Sequence, residues 1–316
     1  MPIVHQMVTQ TPTVKLATGQ SMPMLGLGTW QTDKGKIQMD KAVELALSKG
    51  IRLIDGAYVY ENEKEVGQGL KKAINDGICK REDVFLVSKL WNTFHRVEMV
   101  EKGCRETLDA LDINELDLYL MHWPIAMVPN EGIWPKDGDK CKLDKDAADF
   151  VDTWKAMEKL VEKGMTKSIG LSNVNKQQLQ RVLKEGKIRP AVIQNEVHPF
   201  CYDRDLLDFC KKENIVVMAY SPLAHGDKDL LGNATLKEIA NKEGLTVAQV
   251  LLLWNLSEGR VVFPKSTTPE RIEENFGFLS KMQKLPREEV DQITKLTKGK
   301  QNRTCDPEKF FNVKIF

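Results

Sequence analysis

The chain has 316 residues, 41% hydrophobic and 29% charged, and a formal charge of +1 from 46 basic and 45 acidic residues. That balance excludes a disordered or membrane-embedded chain and gives no global field for nucleic acid or anionic lipid, so any anion site has to be local. Cys79, Cys104, Cys141, Cys201, Cys210 and Cys305 form no C-x-x-C pair, which points to reduced thiols and a cytoplasmic protein; neither they nor the five histidines show zinc-ligand spacing, so no metal is expected.

The start, Met1-Pro-Ile-Val-His-Gln, lacks the basic head and apolar core of a signal peptide. The longest apolar run, Val250-Leu-Leu-Leu-Trp254, is too short to span a bilayer. Residues 11–23 predict a hairpin, with Thr18-Gly-Gln as its turn. A first full strand follows at Leu25-Gly-Leu-Gly-Thr-Trp30. Its Gly26-x-Gly28 pair is followed by Gln31 and no third glycine, so the dinucleotide fingerprint of a Rossmann fold is absent. A helix is expected over roughly 36–49, ended by Gly50.

The stretch Arg52 to Gly67 then predicts a short strand that delivers Asp55 and Tyr60 to its C-terminal end. Asn62 starts an amphipathic helix, with Glu65 as the expected capping-box partner. Further strand cores fall near 84–88, 117–121, 167–171, 191–194, 215–219 and 260–263. With 25–29 and 52–55 they number eight. Continuous apolar strands alternating with amphipathic helices imply a parallel sheet covered by helices. Eight repeats in one domain, 1–316, predict an α/β fold of the (β/α)8 TIM-barrel type with an N-terminal β-hairpin, extra helices and a C-terminal loop. Two long gaps hold insertions. The first, about 124–147, is expected to be a loop on the C-terminal face; the second carries His225 to Leu231 and helical patterns near 234–243 and 246–257. An amphipathic segment near 286–298 and an irregular tail from Gly299 complete the chain.

In a barrel the residues just past each strand converge on one mouth. They are Trp30; Asp55 with Tyr60; Lys89 with Trp91; His122 with Trp123; Ser172 with Asn173; Gln194 with Glu196; Tyr220 with Ser221; and Lys265 with Ser266. Singly, each has an ordinary structural reading: a solvated lysine, a turn aspartate, a core tryptophan. Together Asp55, Tyr60, Lys89 and His122 form a polar cluster inside an aromatic rim. An ammonium beside a phenol favours its ionised form, and a carboxylate keeps that ammonium charged. Tyr60 could then donate a proton to an oxygen gaining charge, with His122 orienting that oxygen as a neutral donor. The last strand leads into Phe263-Pro-Lys-Ser-Thr-Thr-Pro-Glu-Arg-Ile-Glu-Glu-Asn275. Thr268 at an N-cap, Pro269 at N1, and Lys265 and Arg271 beside them make an anion site suited to phosphate. Asn175 with Gln178 is a similar cap without cations.

The chain resembles the aldo-keto reductase family, and within it the aldose and aldehyde reductase branch. Leu53-Ile-Asp-Gly-Ala-Tyr-Val-Tyr-Glu-Asn-Glu with Val66-Gly67, Leu118-Tyr-Leu-Met-His-Trp-Pro124 and Phe263–Asn275 carry the resemblance. Ile169-Gly-Leu-Ser-Asn173, Gln194-Asn-Glu and Ala219-Tyr-Ser-Pro-Leu223 agree with it. The resemblance implies a TIM barrel that binds NADPH/NADP+ extended across its mouth and reduces a small-molecule aldehyde or ketone. By it, Tyr60 is the acid, Asp55 and Lys89 tune it, and His122 orients the carbonyl. Ser172, Asn173 and Gln194 hold the carboxamide, and Tyr220 stacks on the nicotinamide. Ser221, Leu223 and Lys265 contact the pyrophosphate. Lys265, Ser266, Thr267, Thr268 and Arg271 surround the 2′-phosphate, with Glu274 and Asn275 near the adenine. Gly28, Thr29 and Trp30 also border the cofactor, while Trp30, Val59, Trp91, His122 and Trp123 line the substrate pocket. No nucleic acid or membrane partner is expected, and the protein is expected to be a monomer.

Steroid 5β-reductase relatives carry Glu where this chain has His122, which favours carbonyl over double-bond reduction. Gly56 replaces the usual Thr, and the segment after Leu223 is shorter than the belt over the cofactor in aldose reductase, which predicts faster cofactor release. Two other readings stand beside the reductase. One is a Schiff-base lyase using Lys89 or Lys265; the other is a non-catalytic NADPH-binding or structural protein.

Overall fold

The computed structural model describes residues 11–30, 37–278, 284–297 and 302–316; Met1 to Gln6, Gln31 and Gly299 lie outside them. The chain begins with a hairpin of β1 (Thr13–Lys15) and β2 (Ser21–Pro23), with Val14 opposite Met22. Thr18 and Gln20 of its turn hydrogen-bond the Ser168 hydroxyl, and the Gln20 amide donates to the Asp117 carbonyl. Both partners precede barrel strands, so the hairpin stoppers the N-terminal end.

Eight buried strands then pair in parallel: β3 (Leu27–Gly28), β4 (Leu53–Asp55), β5 (Phe85–Leu90), β6 (Leu118–Met121) and, past a small hairpin, β9 (Ile169–Ser172), β10 (Val192–Glu196), β11 (Val216–Tyr220) and β12 (Val261–Val262). That hairpin is β7 (Lys136–Asp137) with β8 (Lys140–Cys141). It corrects the expectation that 124–147 is loop throughout: Gly138, at φ 62°, supplies the turn that brings the short strands together. Parallel bridges Leu25–Val262 and Gly28–Lys265 join the last strand to the first and close the sheet into a barrel. The strands lie under helices and are therefore buried almost throughout, with their polar residues gathered toward the C-terminal ends.

The helices are α1 (Met39–Ser48), α2 (Glu63–Asn75), α3 (Val100–Leu111), α4 (Phe150–Glu162), α5 (Lys176–Glu185), α6 (Arg204–Lys212), α7 (Lys228–Leu231), α8 (Ala234–Glu243), α9 (Val247–Ser257), α10 (Pro269–Gly277), α11 (Arg287–Lys295) and α12 (Pro307–Phe311). None among the described residues is long and apolar enough to cross a membrane. Helix α2 fits between α1 and α3 through two glycines. A Cβ at Gly67 would lie 2.4 Å from the Leu111 carbonyl, and one at Gly69 2.4 Å from that of Asp40. Gly50, at φ 91°, reverses the chain after α1.

Two caps differ in outcome. Asn175 and Gln178 form the expected reciprocal box on α5. Asn62 and Glu65 do not. The Asn62 amide donates instead to the Thr29 carbonyl at 2.8 Å, and Glu65 accepts from the Met39 amide at 3.1 Å. Each stitches α2 to the first βα unit, where an unpaired main-chain group outcompetes the local partner. The tail, expected to be irregular, contains α12, begun by Asp306 accepting from the Glu308 amide with Pro307 at the first position.

Candidate active site

Strand β4 ends at Asp55, and a single 3-10 turn, Tyr58–Tyr60, carries the chain to Glu61, a non-glycine residue at φ 55°. This places the Tyr60 hydroxyl beside the end of β5. Lys89, fully buried on β5, donates to Asp55 Oδ2 at 2.8 Å, to the Gly56 carbonyl at 2.7 Å and to the Tyr60 hydroxyl at 3.3 Å. Three acceptors match the three N–H bonds of an ammonium, whereas a neutral amine has only two. The same saturation argues against Lys89 as a Schiff-base nucleophile. The other oxygen of Asp55 accepts from the Gln194 amide at 2.7 Å.

Burial pushes the Asp55 carboxyl up and the Lys89 ammonium down; the contact between them opposes both changes. Burial, then the Asp55 carboxylate and Cys305, push the Tyr60 phenol well above its ordinary value. This corrects the expectation of a phenol drawn toward ionisation by Lys89: removal from water outweighs the nearby ammonium. Tyr60 therefore holds its proton at neutral pH. Tyr58 faces away, donating to Glu106 at 3.0 Å and packing edge-on against Phe94. The main-chain carbonyl of Gly56 is thus one of the three acceptors of Lys89.

His122, at the end of β6, lies edge-on to Tyr60 at 5.9 Å and to Trp91 at 5.3 Å between ring centres. Burial, reinforced by Lys89, holds its imidazole well below the usual range, so it is neutral. Its Nδ1 is buried without a partner among the described residues. Trp91 and Trp123 are buried in one aromatic wall that extends beyond them: Trp134 meets Trp91 at 4.8 Å, and Phe311 meets Trp123 at 5.2 Å and stacks on Trp134 at 5.9 Å. Val59 is partly buried at the turn before Tyr60. Trp30 stands apart, 39% exposed and stacked at 5.5 Å on His225, which projects from the segment after β11.

The opposite side of the mouth carries the residues expected at a cofactor. The Thr29 hydroxyl donates to the Asp55 carbonyl, and Gly28 sits on the barrel seam. Ser172 donates to the Gln194 carbonyl, and Asn173, at φ 58°, donates to the His122 carbonyl and accepts the Tyr220 hydroxyl at 2.7 Å. Ser221, at φ 47°, turns the chain into the Leu223–Gly226 turn. At the outer end Thr268 is the N-cap of α10, but its side chain makes no capping hydrogen bond among the described residues; Ser266 Oγ accepts from the Thr268 amide, and the Thr267 carbonyl from the Ile37 amide. Lys265 and Arg271 are exposed on either side, with Glu274 exposed and Asn275 buried on the same helix. An uncapped nine-residue helix start flanked by two cations suits a phosphate, and the amide and hydroxyl groups of Ser172, Asn173 and Gln194 suit a carboxamide. The donor set therefore fits a nicotinamide dinucleotide carrying an extra phosphate. A surface cleft of about 450 Å³ between α2 and α3, lined by Leu70, Ile74 and Leu111, contains none of these residues.

Several residues at or behind this site escaped the sequence reading. Trp134 was visible only as one aromatic in a Gly/Pro-rich insertion, and Phe311 lies in a tail with no recognisable pattern. Glu63, buried on the first turn of α2, accepts from Ser88 at 2.5 Å and Thr107 at 3.1 Å.

The Aldo/keto reductase family description matches residues 24–298. The chain is 44% identical over 302 residues to aldose reductase B of Dictyostelium discoideum, covering 93% of this chain and 94% of that one. It is 42% identical over 298 residues to aldo-keto reductase family 1 member A1 of Gallus gallus, covering 90% and 89%. The structure is similar to the aldose reductase of Schistosoma japonicum, with a TM-score of 0.88, 40% identity and coverage of 97% and 98%. The chain belongs to the aldo/keto reductase family. It is an NADP-dependent oxidoreductase that reduces small carbonyl compounds with NADPH as cofactor.

Proposed function

We propose that Tyr60 is the proton donor in the reduction of an aldehyde or ketone to its alcohol, with Lys89, Asp55 and His122 as its working partners. The observation that carries this reading is the threefold engagement of Lys89, which ties the phenol to a buried ammonium and that ammonium to a carboxylate. When bound, NADPH supplies the hydride. As the carbonyl oxygen gains charge, Tyr60 releases its proton to it, and the Lys89 ammonium 3.3 Å away stabilises the phenolate left behind. Asp55, oriented by Gln194, keeps Lys89 charged through that step. His122, as a neutral imidazole, donates to the carbonyl oxygen and fixes its position.

Ser172, Asn173 and Gln194 hold the carboxamide, and Tyr220 supports the nicotinamide ring. Ser221, Leu223 and Lys265 bind the pyrophosphate. Lys265, Ser266, Thr268, Arg271 and the start of α10 bind the 2′-phosphate, with Glu274 and Asn275 toward the adenine. Trp91, Trp123, Trp134 and Phe311 offer an apolar wall that suits aryl and alkyl carbonyls. We place this chemistry in one domain acting as a monomer in the cytoplasm, a compartment supported by the six free cysteines.

Tyr60→Phe tests the assignment. NADPH oxidation with a reactive aldehyde should fall by about 10²–10⁴ in kcat, the usual worth of a general acid. NADPH affinity, read by fluorescence titration, should stay within about twofold. Retention of reductase activity removes Tyr60 from the mechanism.

A further inference from the structure

Glu196, at the end of β10, is buried and collects donors from far along the chain. Its Oε1 accepts from His198 Nε2 at 2.9 Å and from the Thr304 hydroxyl at 2.6 Å; the Thr304 amide reaches both oxygens, and the Cys305 amide reaches Oε2 at 3.0 Å. His198 Nδ1 accepts from the Phe200 amide at 3.2 Å, which puts the ring proton on Nε2 and makes it the donor to Glu196. Glu196, His198 and Cys201 offer ligand atoms within 4.8 Å of one another, the spacing of a metal site. Both carboxylate oxygens and both ring nitrogens are already occupied, so the cluster is a clamp and not a coordination sphere. Burial pushes the Glu196 carboxyl up, yet the hydrogen bonds from His198, Thr304 and Cys305 hold it below its ordinary value, so the clamp works as a carboxylate.

The clamped segment leads to the aromatic wall. Beside the clamp, the Asn302 amide donates to the Phe200 carbonyl at 2.7 Å. Beyond it the chain forms α12, whose Phe311 packs on Trp123 and Trp134, and whose Phe310 carbonyl accepts from the Cys141 thiol in the β7–β8 hairpin. Near its end, the Ile315 carbonyl accepts from Asn175 at the start of α5. The charged anchor of this strap is Glu196, and its cargo is Phe311. We propose that Glu196 is a specificity-positioning residue: it touches neither substrate nor cofactor, and it sets carbonyl preference by holding the tail that carries Phe311 in the pocket wall. This rests on the reductase reading above.

The test uses the full chain with Glu196→Gln, which keeps the shape and removes the charge, and Thr304→Ala, which removes one of the same bonds from the tail side. Hydrogen–deuterium exchange of residues 302–316 should speed by at least about tenfold in Glu196→Gln and by less in Thr304→Ala. The kcat/KM ratio for a bulky aryl aldehyde over propanal should fall at least about fivefold in Glu196→Gln, through KM and not kcat, and in the same direction in Thr304→Ala. Unchanged tail exchange in both variants overturns the proposal, as does an equal loss for both aldehydes. If the wild-type chain reduces neither aldehyde, it is the reductase reading that fails, and the exchange measurement still judges the clamp. Should Glu196→Gln not fold, Thr304→Ala decides by the same two readouts.

Discussion

Glu63, on the first turn of α2, packs against Ser88 of β5, and replacing it by glutamine should make the protein more stable at neutral pH. Burial lifts its carboxyl from 4.5 to about 7, against the hydrogen bonds of Ser88 and Thr107 and the charge of Lys89, which pull it down. At about 1.4 kcal/mol per pH unit, a rise of that size corresponds to about 3 kcal/mol. The folded value lies above the unfolded one, so the folded state binds an extra proton between them. The stability this confers is complete below pH 4.5 and disappears as pH rises to about 7. Glutamine does not titrate and can still accept from Ser88 or Thr107. The stability of Glu63→Gln minus that of wild type should therefore climb by about 3 kcal/mol from pH 4.5 to 8 and then level off. Urea unfolding at half-unit pH steps measures it. The other groups facing Glu63 do not interfere: Tyr58 on its own turn, Tyr119 on β6 and Cys104 on α3 keep their protons in this range, being raised above their ordinary values. Lys89 keeps its three acceptors in both proteins, and its charge is already among the causes that pull the Glu63 carboxyl down. Parallel pH curves for the two proteins would refute the reasoning.

Lys89→Met should strand the Asp55 carboxylate in the barrel and cost about 3–5 kcal/mol in urea unfolding, as well as reductase activity. Equal stability would mean that Asp55 is neutral in the folded protein. Arg271→Ala should weaken NADPH by about 10–100-fold, the worth of one charge-assisted hydrogen bond, while leaving NADH binding within about twofold. Isothermal titration with both cofactors separates the two, and equal losses would place Arg271 away from the 2′-phosphate. Tyr60→Phe and Glu196→Gln complete the set, with the kinetic and exchange outcomes given above.

Much of the architecture was legible because its cause is local. Eight apolar runs separated by amphipathic helices leave few solutions other than a helix-covered parallel barrel, and strand ends in a barrel must share a mouth. That logic brought Asp55, Tyr60, Lys89 and His122 together from three strands. What local pattern could not give was competition between partners. Asn62 and Glu65 had the spacing of a capping box, yet Thr29 and Met39, distant in sequence, presented main-chain groups that took both side chains. The electrostatics failed for a related reason: Lys89 near Tyr60 could be inferred, but the desolvation that overrides it depends on the whole surrounding wall. The tail was opaque because α12 has only five residues, too few for periodicity, and Phe311 is placed by tryptophans some 200 residues away in sequence.

The barrel seam ties the proposed nucleotide site to the closure of the sheet. The first strand meets the last through the bridges Leu25–Val262 and Gly28–Lys265, and Thr29, Trp30, Lys265, Ser266, Thr267, Thr268 and Arg271, on or beside that junction, are among the residues assigned to the cofactor. A nucleotide bound through those residues would straddle the junction and brace the first strand against the last.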